Sequence, residues 1–125
     1  MKYYLSAFRP RQWTKNLIVF AAPFFNFEFR SEIWFSACYA FIIFCMISSS
    51  VYLINDSIDI KVDKKHPEKR FRPIASGKVS ISTARSLSIF LVCLSLFFSS
   101  QISSLLTLII LLYFFIQIIY CLKLK

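Results

Sequence analysis

Between Ile33 and Ile54 the chain carries no charged residue. An apolar stretch of that length suits a helix crossing a hydrocarbon core of ~30 Å, which takes ~20 residues. In hydrocarbon every backbone N–H and C=O has to be bonded within the segment, so a lone span must be an α-helix. The other apolar runs are read on the same terms. They place spans at about residues 13–29, 33–54, 81–98 and 105–122. The expectation is an all-α, multi-spanning transmembrane bundle of four helices, with residues 1–125 as a single membrane domain. Composition agrees, since 58% hydrophobic residues and a mean hydropathy of +0.64 leave too little polar surface to cover a water-soluble core.

A formal charge of +9 invites a nucleic-acid reading, and its distribution removes it. Lys2, Arg9, Arg11 and Lys15 precede the first apolar run. Lys61, Lys64, Lys65, Lys69, Arg70, Arg72, Lys78 and Arg85 lie between the second and third, and Lys123 and Lys125 end the chain. Arg30, in the remaining loop, is offset by Glu28 and Glu32. Basic and non-basic loops therefore alternate, as the positive-inside rule requires of a protein in the inner membrane with both termini cytoplasmic. Membrane lipids, not nucleic acid, are the expected surroundings. Cys38, Cys45, Cys93 and Cys121 all fall in apolar runs without metal spacing, and read as small hydrophobes.

Local signals set the boundaries. The first span is short from Trp13 to Phe27; counting Gln12 to Phe29 restores its length but brings in Thr14, Lys15 and Asn16. Asn16 then needs a partner or a wet cavity. Pro23 is expected to kink this helix. A secretory signal is the competing reading, disfavoured by the long lead-in, Pro23 and the lack of a small-residue cleavage site. Ser48, Ser49 and Ser50 allow close helix approach in the second span, which is expected to run on as helix through Asp63. Pro67 biases His66 away from helical angles and sets its limit. Gly77, the only glycine, marks a turn, and Ser80 an N-cap for the third span. Ser99–Ser104 reads as a hairpin connection, and Gln117 as a helix–helix hydrogen bond.

All three aspartates, Asp56, Asp59 and Asp63, follow the second span directly. On an α-helix Asp59 lies about 60° from Asp56 and Asp63 about 20° from it, so the three share a face over ~10 Å. Tyr52 and Ser49 continue that face into the membrane, and Asn55 flanks it. Like charges so placed repel, and at a helix C-terminus they oppose the macrodipole. A cation between them is one remedy. Mg²⁺ suits the ligand set, taking one or two carboxylates with water and substrate phosphates. The spacing fails as an EF-hand, and a lone His66 without clustered Cys makes zinc a poor match. Surface ion pairs with the basic loop, worth ~0–1 kcal/mol each, are the bland alternative.

Asn55-Asp56-x-x-Asp59-x-x-x-Asp63, then Arg70-x-Arg72-Pro73 and Gly77, resembles the first aspartate-rich motif of UbiA-type prenyltransferases, intramembrane enzymes of about nine helices. Residues 9–23, starting Arg9-Pro-Arg-Gln-Trp-Thr-Lys-Asn, and residues 66–77 resemble one branch, decaprenyl-phosphate phosphoribosyltransferase. The resemblance implies that Asp56, Asp59 and Asp63 hold Mg²⁺ on a diphosphate donor while Asn55 orients them. Lys69, Arg70 and Arg72 would neutralise phosphate oxygens, Lys15 and Asn16 would line the same cavity, and the spans would cradle a polyprenyl lipid. It further implies that a second acidic motif and later helices are missing, so that the chain is the N-terminal half of such an enzyme, inactive alone unless a second chain supplies the rest. Two other classes compete. A four-helix transporter subunit generally needs an ionisable group within a span, and the membrane-embedded stretches hold no Asp or Glu, Glu28 lying at the outer end of the first. An assembly subunit predicts that the aspartates tolerate alanine.

Overall fold

The computed structural model describes residues 1–27 and 29–123. Glu28, in the stretch expected to close the first span, and Lys125, one of the two C-terminal cations, lie outside the described residues. A short helix α1 (Lys2–Ala7) leads into a 3₁₀ helix (Pro10–Phe20) and then α2 (Ala21–Phe25). The long α3 (Ser31–Ile58) is followed by α4 (Ile60–Lys65), a single 3₁₀ turn (Lys69–Phe71), α5 (Ile81–Ile102) and α6 (Ser104–Lys123). Three of these, α3, α5 and α6, are long and apolar enough to cross a membrane.

The stretch expected as an α-helical first span is wound differently. Pro10–Phe20 is 3₁₀, and only Ala21–Phe25 is α-helical. At ~2.0 Å rise per residue for the first part and 1.5 Å for the second, Pro10–Phe25 still reaches about 30 Å. The cause lies in the pairing with α3. Three residues per turn put Trp13 and Asn16 on one edge, ~6 Å apart, which matches a four-residue step along an α-helix. Trp13 Nε1 donates to Ser49 Oγ at 2.9 Å, and Asn16 Nδ2 to Ser48 Oγ at 3.4 Å and Cys45 Sγ at 3.6 Å. Asn16 thus has its partners, on α3. Pro23 falls in the first turn of α2, where a missing N–H deprives the helix of no bond.

Elsewhere the boundaries move by about a turn. The second span extends over Ser31–Ile58, and helix breaks at Asp59 instead of running unbroken to Asp63. The break is slight, since Asp59 N–H still reaches Asn55 O at 3.0 Å and Asp63 N–H reaches Asp59 O at 2.8 Å. His66 is extended (φ −83°, ψ 137°) ahead of Pro67, and Gly77 adopts φ 83°. The Ser99–Ser104 connection shrinks to Ser103, because Ser99 and Ser100 turn their hydroxyls back to the carbonyls of Leu96 and Phe97 and stay helical. Ser103 Oγ then accepts from Leu106 N–H at the start of α6. Gln117 is half-buried, and among the described residues its side chain shows no hydrogen bond.

Small residues bring α3 and α5 together. Ala84, Ser88, Ser95 and Ser99 form the buried edge of α5, and Ser88 Oγ donates to Ser50 O at 3.0 Å. Ile43, Ile47 and Ile110 make an apolar cluster among α3, α5 and α6. A second cluster, Ala7, Leu53, Ile74, Val79 and Ala84, draws α1 and the 66–80 loop onto one end of the bundle. Ser80 Oγ accepts from Thr83 N–H at 3.1 Å, the expected N-cap of α5. Ser80→Ala should lower stability by about 1 kcal/mol in a reversible unfolding titration, whereas Ser80→Asp should match the native protein.

Candidate functional site

The loop core decides which cation meets the aspartates. Ile74, Ala75 and Val79 are buried, and Val79 N–H closes on Pro73 O at 3.0 Å, so the chain at Arg72 is pinned against the end of α3. Arg72 Nη1 lies 3.0 Å from Asp63 Oδ2 and 3.4 Å from Asp56 Oδ1. One guanidinium thus bridges two carboxylates, both almost wholly buried. Asn55 Nδ2 reaches Asp56 Oδ1 at 3.5 Å. Asp59 is half-buried at the junction of α3 and α4.

Of the other cations expected here, Lys69 and Arg70 are exposed on the 3₁₀ turn, with the Arg70 guanidinium over the Phe71 ring at 4.8 Å. Lys15 is exposed on the long 3₁₀ helix. Asn16 meets Ser48, eight residues before Asp56 and so about 12 Å deeper along α3. The structure therefore brings together Asn55, Asp56, Asp63 and Arg72, and sets Lys15, Asn16, Lys69 and Arg70 around them at a remove.

Arg9 is the functional residue that the motif spacing misses. Its Nη2 sits 2.5 Å from Asp56 Oδ1, and its guanidinium carbon lies 4.7 Å above the Tyr52 ring. A left-handed backbone at Arg9 (φ 52°) turns the chain from α1 into Pro10 and delivers the side chain to α3. The one sequence signal was its place at the head of the 9–23 segment; nothing in local spacing links it to a residue 47 positions away.

Oxygen-rich donors of this kind suit a hard cation. Even so, among the described residues no group of three or more His, Cys, Asp or Glu is arranged to hold a metal ion. In this arrangement Asp56 and Asp63 both face arginine. Two carboxylates are enough for Mg²⁺ where phosphate oxygens and water complete the shell, so the residues fit a cation that arrives with an anion.

Below the ionic cluster, the Asp56 face of α3 descends through Tyr52, Ser49, Cys45 and Ile42 in alternating steps of four and three, one helical stripe. Along it lies a cavity of about 280 Å³ lined by Phe8, Trp13, Ile42, Met46, Ser49 and Leu91. A second of about 180 Å³ shares Ile42 and Met46 and extends to Tyr39 and Phe98. From Asp56 to Tyr39 the track covers about 25 Å.

A buried carboxylate–arginine cluster at one end of a bundle of apolar helices defines an integral membrane protein with an ionic site at one lip of the bilayer. The UbiA prenyltransferase family matches residues 17–125, and the chain belongs to that family. It is 40% identical to the decaprenyl-phosphate phosphoribosyltransferase of Mycolicibacterium smegmatis over 97% of this chain and 40% of that protein. A namesake from Corynebacterium glutamicum is 39% identical over 74% of this chain and 29% of its own length. The digeranylgeranylglyceryl phosphate synthase of Sulfurisphaera tokodaii is 48% identical over 42% of this chain and 18% of that protein. The chain thus spans about 40% of the M. smegmatis relative.

Proposed function

We propose that this chain forms the donor-binding part of an intramembrane transferase. Its donor would be Mg²⁺-bound phosphoribosyl diphosphate and its acceptor a polyprenyl phosphate. The observation that carries this reading is the Asp56–Arg72–Asp63 bridge at the head of an apolar track on one face of α3. An ionic head above a helix face about 25 Å long, lined by two apolar cavities, suits a reaction joining a charged donor to a lipid. The relatives named decaprenyl-phosphate phosphoribosyltransferase support the substrate pair.

In this reading Asp56, Asp59 and Asp63 hold the cation, Asn55 orients Asp56, and Arg72 and Arg9 turn from carboxylate to phosphate oxygens, which guanidinium matches bidentately. Lys15, Lys69 and Arg70 are exposed and add to the field that draws the anion in. The bound metal would supply Lewis-acid neutralisation of the diphosphate. The bond from the donor carbon to the diphosphate breaks with its electron pair leaving on oxygen, and arginine stabilises that charge as it develops. An acceptor oxygen then supplies the new pair. Tyr39, Ile42, Met46 and Phe98 give the lipid chain a dry wall. By the positive-inside rule the ionic lip is cytoplasmic, as are both termini. Group transfer is proposed for the full family architecture, and donor binding for these 125 residues.

The test is titration of the detergent-purified chain with phosphoribosyl diphosphate, with and without Mg²⁺. Binding should require the cation and should fall at least tenfold in Asp56→Ala; equal binding by that variant would refute the site. Identity to the S. tokodaii synthase over residues of the same family supports a second reading, prenyl transfer from a polyprenyl diphosphate. A prenyl diphosphate that binds while phosphoribosyl diphosphate does not would select it.

A further inference from the structure

Cys121 of the last helix reaches the ionic cluster. Cys121 is 6% exposed on α6, and its Sγ lies 3.3 Å from Asn55 Oδ1. Asn55 in turn directs Nδ2 toward Asp56 Oδ1 at 3.5 Å. These contacts are linked, because a side-chain amide has one accepting and one donating end. A thiol that donates to Oδ1 leaves Nδ2 for the carboxylate. With the amide turned over, Oδ1 would face Asp56 Oδ1, oxygen against oxygen, and the thiol would face an NH₂ that has no need of its proton.

We propose that Cys121 is a positioning residue for the ionic site, its S–H fixing the orientation in which Asn55 donates to Asp56. The residue acts through Asn55 and touches no ligand itself. What it does for donor binding rests on the Mg²⁺–diphosphate reading above, while its hold on Asn55 does not. The arrangement ties α6 to the end of α3 across 66 residues of sequence, so the site responds to the seating of α6.

Three variants separate this role from simple packing. Cys121→Ser keeps a donor, Cys121→Val keeps the volume without one, and Asn55→Ala removes the group on which Cys121 acts. The first readout needs no ligand: the Asn55 side-chain NH₂ resonances in ¹⁵N-labelled protein in detergent micelles, assigned by their loss in Asn55→Ala. The native protein and Cys121→Ser should show a resolved, slowly rotating pair, and Cys121→Val a shifted and exchange-broadened one. An unchanged pair in Cys121→Val overturns the proposal. The second readout is binding of Mg²⁺ with phosphoribosyl diphosphate. Cys121→Val should bind three- to tenfold more weakly, Cys121→Ser should restore native affinity, and in the Asn55→Ala background Cys121→Val should add nothing. Further loss in that background makes Cys121 a packing residue and overturns the positioning role. If native protein and Asp56→Ala bind the donor alike while the resonances behave as stated, the donor-binding reading fails and the positioning of Asn55 stands.

Discussion

Arg72→Ala should destabilise the chain by about 3 kcal/mol, more than any other single change at the cluster. Removing one partner of a buried ion pair typically costs 3–5 kcal/mol, because the charge left behind has neither water nor a counter-ion. Two such charges depend on Arg72, Asp56 and Asp63, each almost wholly buried. The low end of the range applies, since Arg9 remains on Asp56 and Arg72 is itself 27% exposed. Arg72→Lys should recover only part of the loss: both contacts run through Nη1, and the shorter, strongly hydrated lysine ammonium holds a charge at that point less well. The same substitution gives a response of opposite sign to divalent cations. With the guanidinium gone, the carboxylates should take Mg²⁺ alone more readily, so millimolar Mg²⁺ should raise the unfolding midpoint of Arg72→Ala more than that of the native protein. Phosphoribosyl diphosphate should bind the variant more weakly, having lost a phosphate partner. Thermal unfolding in detergent with and without Mg²⁺ measures the first pair of effects. A variant as stable as the native protein and indifferent to Mg²⁺ would remove Arg72 from the site.

The features legible in the sequence are those set by near neighbours. The uncharged run before Asn55, the Ser80 cap, the His66–Pro67 stop and the turn at Gly77 each follow from residues within a few positions. Asp56 and Asp63 could be put on one face because helical periodicity fixes it. The unreadable parts were decided by distant contacts. The 3₁₀ winding of Pro10–Phe20 depends on matching Trp13 and Asn16 to Ser49, Ser48 and Cys45, a tertiary requirement that overrides local preference. Asn16, expected to line the ionic cavity, is taken up by that match. Lys69, Arg70 and Arg72 look equivalent in a basic run; the burial of Ile74 and Ala75, visible only in the fold, singles out Arg72. Arg9 and Cys121 reach the cluster across 47 and 66 residues, with no pattern in the chain to announce either.

Arg9 carries the second large effect, and its backbone makes the choice of substitution informative. The side chain supplies a charge-assisted hydrogen bond to buried Asp56, worth about 1.5–3 kcal/mol, and a stack on Tyr52 worth about 0.5–2 kcal/mol. Some of this is recovered when Arg72 takes a larger share of Asp56, so Arg9→Ala should cost about 2–3 kcal/mol. Arg9→Gly removes the same side chain but suits φ 52°, where a residue with a Cβ carries roughly 1–2 kcal/mol of strain. Glycine should therefore be the milder replacement by about 1 kcal/mol, the reverse of its rank against alanine inside a helix. Because α1 and the 3₁₀ helix meet at this residue, the loss should also appear locally. Trp13, bonded to Ser49 along the same edge, should show a red-shifted, more quenchable fluorescence in Arg9→Ala than in Arg9→Gly, with Trp34 replaced by Phe in every sample to isolate the signal. If alanine and glycine prove equally damaging, the left-handed turn contributes nothing and Arg9 serves only through its charge. If neither changes stability or Trp13, the segment is held to α3 by its serine contacts alone, and Arg9 has no part in closing the site.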